Sequence, residues 1–161
     1  MLAAMSNAVI HALEAAGIAH RFVRYDPALE PAAAAEGAGL SPDVACKTLA
    51  VASMPAVVLA VLPANARLDL TALRRHLAEN RTMLIEPQAL QRMTGFADGA
   101  VTPLPRAGAR RFRVILEERA MALPELAVGG GEAGLGIVMT PAEFVRATDA
   151  EMAAIVEEDG A

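Results

Sequence analysis

The stretch that decides the fold reads Val44-Ala45-Cys46-Lys47-Thr48-Leu49-Ala50-Val51-Ala52, then Ser53-Met54-Pro55, then Ala56-Val57-Val58-Leu59-Ala60-Val61-Leu62. Two apolar runs of strand length, split by a short proline-containing connection, predict a hairpin over Val44–Ala52 and Ala56–Leu62. The second run is apolar on both faces and predicts a central strand. In the first, alternation puts Cys46, Thr48, Ala50 and Ala52 on one face and Ala45, Lys47, Leu49 and Val51 on the other. An ammonium group on an apolar strand face is costly, because burial penalises charge. Lys47 therefore either runs out along the strand's end to solvent or points into a pocket that takes a negative ligand or a developing oxyanion. The choice of residue is informative: 13 of the 14 basic residues are arginine, and Lys47 is the only lysine.

Toward the N-terminus, Ser6 can cap a helix whose Val9, Ile10, Leu13 and Ala16 repeat at helical spacing before Gly17 ends it. His20–Tyr25 alternates as a strand. Pro31–Ala38 is an alanine-rich helix opened by proline, and Ser41-Pro42-Asp43 makes a turn. Toward the C-terminus, Asp69 caps a helix over Leu68–Glu79, Arg81–Ile85 is a strand, and Pro87–Thr94 is a helix stopped by Gly95. Asp98–Gly108 contains Gly99, Pro103, Pro105 and Gly108, which exclude regular structure. Strands follow at Arg111–Leu116, Leu126–Val128 and Leu135–Met139, the last two joined through Gly129-Gly130-Gly131. Thr140 and Pro141 open a helix that runs through Arg146, and Glu151–Glu158 predicts a last helical turn or two. Strands clustered in pairs predict one α+β domain over residues 1–161, with a mixed, mostly antiparallel sheet of about seven strands, curled and flanked by about five helices.

Composition narrows the function. The 161 residues are 55% apolar, which excludes disorder. Ala56–Ala64 is the longest apolar run, far short of a membrane span. A net charge of −5 excludes a general binder of duplex nucleic acid and leaves only a local contact. Met1–Ser6 has no charged segment leading into a long apolar one, so a cytoplasmic protein is expected. The single cysteine, Cys46, allows no internal disulfide and reads best as a small buried apolar thiol. His11, His20 and His76 have neither ligand spacing nor flanking carboxylates, so no metal is expected. Gly129-Gly130-Gly131 lacks the lysine and the following helix of a phosphate loop.

Val44-Ala45-Cys46-Lys47-Thr48-Leu49 resembles the "V-x-K-T-L" strand of the YbaK/ProX family of aminoacyl-tRNA deacylases, which are similar to the editing domain of bacterial prolyl-tRNA synthetases. The likeness runs along nearly the whole chain. Ile18–Tyr25 resembles the family's first strand and its tyrosine. Leu59–Pro63 followed by Leu68-Asp69-Leu70 resembles its "V-P…L-D-L" segment. Thr94-Gly95-Phe96 followed by Gly99-Ala100-Val101-Thr102-Pro103 resembles its "T-G-(F/Y)…G-x-x-x-P" loop. Gly129-Gly130 and Gly134-Leu135 resemble its closing hairpin.

The resemblance implies hydrolysis of the ester between a mischarged small amino acid and the 3′ end of tRNA, without cofactor. Lys47 would be the catalytic residue, engaging the acyl carbonyl or the terminal phosphate. Tyr25, Gly99, Ala100, Val101, Thr102, Pro103, Gly129 and Gly130 would shape the pocket. An aminoacyl ester is already activated, so orientation and a cation aimed at the developing oxyanion can suffice. The chain departs from the cysteinyl branch, where serine is expected at Gly129 and aspartate at Gly136. Alanine, serine, threonine and cysteine are all candidate amino acids. Arg106, Arg110, Arg111 and Arg113, four arginines within eight residues, could hold the acceptor-stem phosphates. Aminoacyl-tRNA is the expected partner, with a synthetase and a second copy of the chain as further possibilities. A hydrolase of another small acyl ester and a non-catalytic tRNA-binding module remain as alternatives.

Overall fold

Local signals set most element ends in the computed structural model, which describes residues 7–158. Helix α1 (Ala8–Ala15) is capped by Asn7, whose Oδ1 accepts from the backbone N–H groups of Val9 and Ile10. Ser6, expected in that role, lies outside the described residues. Helices α2 (Pro31–Gly37) and α4 (Pro87–Thr94) open on prolines whose missing N–H costs nothing there. Helix α3 (Leu70–Leu77) is capped by Asp69, and α5 (Pro141–Thr148) by Thr140.

The strands form two sheets. Strand β2 (Cys46–Ser53) pairs antiparallel with β3 (Ala56–Pro63), with Lys47 opposite Leu62. Strand β4 (Thr82–Leu84) pairs antiparallel on the far side of β2. On the other flank β3 pairs parallel with β5 (Arg113–Glu117), and β5 pairs parallel with β8 (Glu151–Ala153). The order of this five-stranded sheet is thus β4-β2-β3-β5-β8. The second sheet, β1 (Arg21–Arg24), β7 (Leu135–Met139) and β6 (Leu126–Gly129), is antiparallel throughout. A single parallel bridge, Ala45 to Ala127, joins the two. The fold is α+β, with four antiparallel pairings against two parallel ones.

One element was misassigned from sequence. Glu151–Glu158 is not helical: its first three residues form β8, and it brings the strands to eight. The reason is an ion pair that no local pattern shows. Glu151 accepts from Arg113 Nε at 2.6 Å and from its Nη2 at 2.8 Å, and His76 Nε2 lies 3.0 Å from Oε1. These bonds clamp β8 to the edge of β5.

The hydrogen bonds from Arg113 hold the Glu151 carboxyl down at about 2 against partial desolvation, with His76 adding to the effect. The folded-state value lies below the unfolded one, so the stabilisation is present above the ordinary Glu range and is lost as pH falls through about 2. Salt and solvent weaken it, since the side chain is 38% exposed. An NMR titration is expected to place the Glu151 midpoint near 2, and Glu151→Gln to flatten the acid limb of the stability profile. A midpoint near 4.5 would overturn this assignment.

The main core lies between the sheets and under α1 and α5, with Leu13, Leu59, Leu116, Leu126, Ile137 and Phe144 near its centre. The opposite face of the five-stranded sheet packs Val51, Val58, Leu62 and Ile115 against Leu73 of α3. A third, smaller cluster lies under α2, where Ala35 and Leu40 meet Val44 and Val138. Two alternating strand faces therefore feed three apolar clusters, and the site lies where the third is incomplete.

Candidate functional site

Along β2, Leu49 and Val51 face the α3 cluster, while Ala45, before the strand, packs against the α2 cluster. Lys47 stands between them, where neither cluster closes over the strand. A cavity of about 280 Å³ opens at that point, between the start of β2, the outer face of β1-β7-β6, and α2. Lys47, Tyr25, Cys46, Gly129 and Gly136 all line it. Lys47 is half-buried. None of the ion pairs among the described residues uses its ammonium. Lys47 is thus part of the cavity wall.

Beside it, the Cys46 thiol is pushed up to about 12 by burial. It faces the Val44 carbonyl oxygen at 3.8 Å and stays protonated near neutral pH. Cys46 is thus a weak nucleophile, although it lines the same cavity.

Tyr25 comes from the end of β1, where its backbone N–H donates to Gly134 O at 3.0 Å. Its ring covers bare backbone: a Cβ at Gly136 would stand 3.8 Å from two Tyr25 ring atoms and 3.1 Å from Val23 Cγ2. Gly129 and Gly136 face each other in register across β6 and β7. Gly130, in contrast, turns toward the main core, where a Cβ would meet Leu135 at 2.8 Å. It does not line the cavity.

The Gly99–Pro103 loop also stands elsewhere than the sequence suggests. It is a buttress behind the β6 end of the cavity, and none of its residues is among the lining. Phe96 and Leu104 anchor it in the main core. Thr102 Oγ1 donates to Gly129 O at 2.7 Å, and Val101 O would lie 2.6 Å from a Cβ on Gly129. Gly99 takes φ +72°, which glycine adopts freely, and Ala100 is buried. The loop thus acts on the cavity through Gly129, a connection invisible in the sequence.

The arginines divide. Arg106, Arg110 and Arg111 border one shallow cleft with Thr102 and Pro103. The Arg106 guanidinium lies 4.5 Å from the Phe96 ring centre, and Arg110 lies 4.5 Å from that of Phe112. Stacking of this kind fixes a guanidinium plane while leaving its edge free for an anion. Arg110 also donates to Met93 O and Arg111 to Ala147 O. Arg113 is not with them: its charge is tied up by Glu151 on β8.

Sequence reasoning missed the walls supplied by α2 and its approaches, among them Pro27, Leu29, Ala34, Ala35 and Leu40. The one signal was the run Ala32–Ala35, whose small side chains let a helix stand close to a sheet. Among the described residues no group of three His, Cys, Asp or Glu side chains could hold a metal, and no helix is long and apolar enough to cross a membrane.

These features define a two-sheet α+β fold with a lysine-bearing, mostly apolar cleft. The profile of the aminoacyl-tRNA editing domain matches residues 26–147. The chain belongs to that family, the group that the β2 lysine strand and the glycine–proline loop resemble. It is 25% identical over 141 residues to EbsC of Enterococcus faecalis, a proposed Cys-tRNA(Pro)/Cys-tRNA(Cys) deacylase, covering 87% of this chain and 85% of that one. Among solved structures, a proposed trans-editing enzyme for prolyl-tRNA synthetase superposes with a TM-score of 0.81 at 25% identity, covering 93% and 95% of the two chains. The hypothetical protein APE2540 shares the fold, with a TM-score of 0.82 at 24% identity, covering 94% and 100%.

Proposed function

We propose that this protein is a trans-editing hydrolase, a single catalytic module that removes a small amino acid from mischarged tRNA. The observation that carries the reading is Lys47: a half-buried lysine with no acidic partner among the described residues, lining a cavity whose other walls are mostly carbon. Such a charge suits an electron-rich oxygen that arrives with substrate. Family membership makes that substrate an aminoacyl ester.

In this mechanism water attacks the ester carbonyl carbon, and Lys47 stabilises the oxyanion that forms. Collapse of the tetrahedral intermediate breaks the bond to the terminal ribose oxygen, which leaves with a proton. No covalent intermediate is needed, consistent with a Cys46 thiol held protonated. Neither a metal nor a cofactor enters the reaction. Tyr25, Gly129 and Gly136 shape the amino-acid pocket directly, and Gly99–Pro103 supports it from behind. Arg106, Arg110 and Arg111 hold acceptor-end phosphates, and a synthetase is a further partner.

The test is release of free amino acid from tRNAs charged with Ala, Ser, Thr, Cys and Pro. At least one should be deacylated in catalytic turnover. Contacts of three arginines predict that log K for tRNA falls against log salt with a slope of about −2 to −3. No release from any ester with protein in excess would replace this reading by that of a non-catalytic tRNA-binding module. Turnover with binding insensitive to salt would remove the arginines from tRNA binding.

A further inference from the structure

The cavity is lined by 17 residues, of which Tyr25, Cys46 and Lys47 alone carry a side chain able to hydrogen bond. Lys47 and Cys46 sit together at the start of β2. The walls facing them, from β1, β6, β7 and α2, offer carbon, apart from Tyr25. Part of this surface is the Gly129–Gly136 pair, cross-strand neighbours on the cavity wall.

Packing closes Gly129 to a side chain and crowds Gly136. At Gly129 the obstacle is Val101 O, a backbone atom 2.6 Å from the Cβ position and fixed by the Thr102–Gly129 hydrogen bond. At Gly136 it is Val23 Cγ2 at 3.1 Å, with the Tyr25 ring beyond. The apolar character is therefore built into the sheet and does not rest on one residue.

We propose that the Gly129–Gly136 pair selects the amino acid: the ester taken carries a short side chain without a hydroxyl. The inference rests on the deacylase reading and deepens it. With the acyl carbonyl at Lys47, the amino-acid side chain, attached one carbon away, projects against the carbon walls. A hydroxyl placed there finds Tyr25 as the one polar side chain on those walls, and away from it loses water without gaining a partner. A thiol is a weak hydrogen-bonding group and is not penalised in the same way. Alanine, 2-aminobutyrate, cysteine and valine fall on the accepted side, and serine and threonine on the other.

Two pairs of equal size isolate the hydroxyl from the volume: 2-aminobutyrate against serine, and valine against threonine. The wild-type chain is given tRNA charged with each, alongside alanyl-tRNA. In each pair kcat/KM is expected to favour the aliphatic ester by about 10- to 100-fold, the range open to an apolar pocket. Serine or threonine hydrolysed as fast as its isostere would overturn the selection while leaving the deacylase reading intact. Hydrolysis of none of the five would overturn the selection, and the deacylase reading falls with it if cysteinyl- and prolyl-tRNA also stay intact. In the variant combining Val23→Ala with Gly136→Ser, which relieves the contact and supplies a hydroxyl, the 2-aminobutyrate preference is expected to fall to about threefold or less. A folded variant that keeps the wild-type ratio would remove Gly136 from the selection.

Discussion

Lys47→Met is expected to lower kcat/KM for deacylation by about 10²–10³-fold, the scale of losing one donor to a developing oxyanion. The same substitution is expected to leave the fold as stable or to stabilise it. The reasoning is electrostatic. Lys47 pairs through its backbone with Leu62, a residue of the α3 cluster, so the strand holds its place whatever the side chain. The Lys47 side chain is half-buried, and no described acid pairs with it. Methionine keeps the apolar stem, fills the same space and carries no charge that must stay solvated. Steady-state deacylation and urea unfolding, measured on one preparation, separate the two effects. Activity within tenfold of wild type would remove Lys47 from the chemistry. Activity and stability lost together would make it a structural residue.

Glu117→Ala should produce the opposite pattern, a large loss of stability with deacylation unchanged well below the unfolding temperature. Glu117 ends β5 and is fully buried. Its Oε1 accepts from Ile155 N and its Oε2 from Arg119 N, each at 2.8 Å. One carboxylate thus ties β5 to the 3₁₀ turn Glu118–Ala122 and to the chain leaving β8. Truncation strands two backbone donors and opens a void beside Ile155, itself fully buried. The expected cost is about 3 kcal/mol or more, from one to three for each stranded group. For a chain of this size that lowers Tm by roughly 6–12 °C. Glu117→Gln should cost less, since its amide keeps one acceptor oxygen, but it sets an N–H against the other donor. Thermal unfolding decides the matter, and a cost of about 1 kcal/mol or less would show that water replaces the carboxylate.

These two residues mark different limits of what a sequence shows. Lys47 was legible because alternation is a local rule, and a lone cation on an apolar face breaks it visibly. Glu117 was not. The strand read over Arg111–Leu116 stops one residue short of it; its bond from Arg119 N is local, but Ile155 N reaches it only after β8 docks. The glycine–proline loop falls between. Its irregularity was plain from its composition, but its place behind Gly129 depends on Phe96 and Leu104 entering a core built by distant elements. Arg113 was grouped with its three neighbours by sequence distance, and the parallel pairing of β5 with β8 took it away from them.

Local sequence specifies the β2-β3 hairpin, the caps of α3 and α5, the α+β class and the strand face on which the one lysine lies. All of these follow from interactions among residues a few positions apart, whose geometry the backbone dictates. Only the tertiary structure decided that α2 roofs a cavity over that lysine, that a carbonyl bars any side chain at Gly129, and that residues 151–153 extend a sheet rather than a helix. Those outcomes rest on contacts between segments up to a hundred residues apart. Their energies appear only once non-local strands have paired and packed, and no local pattern encodes them.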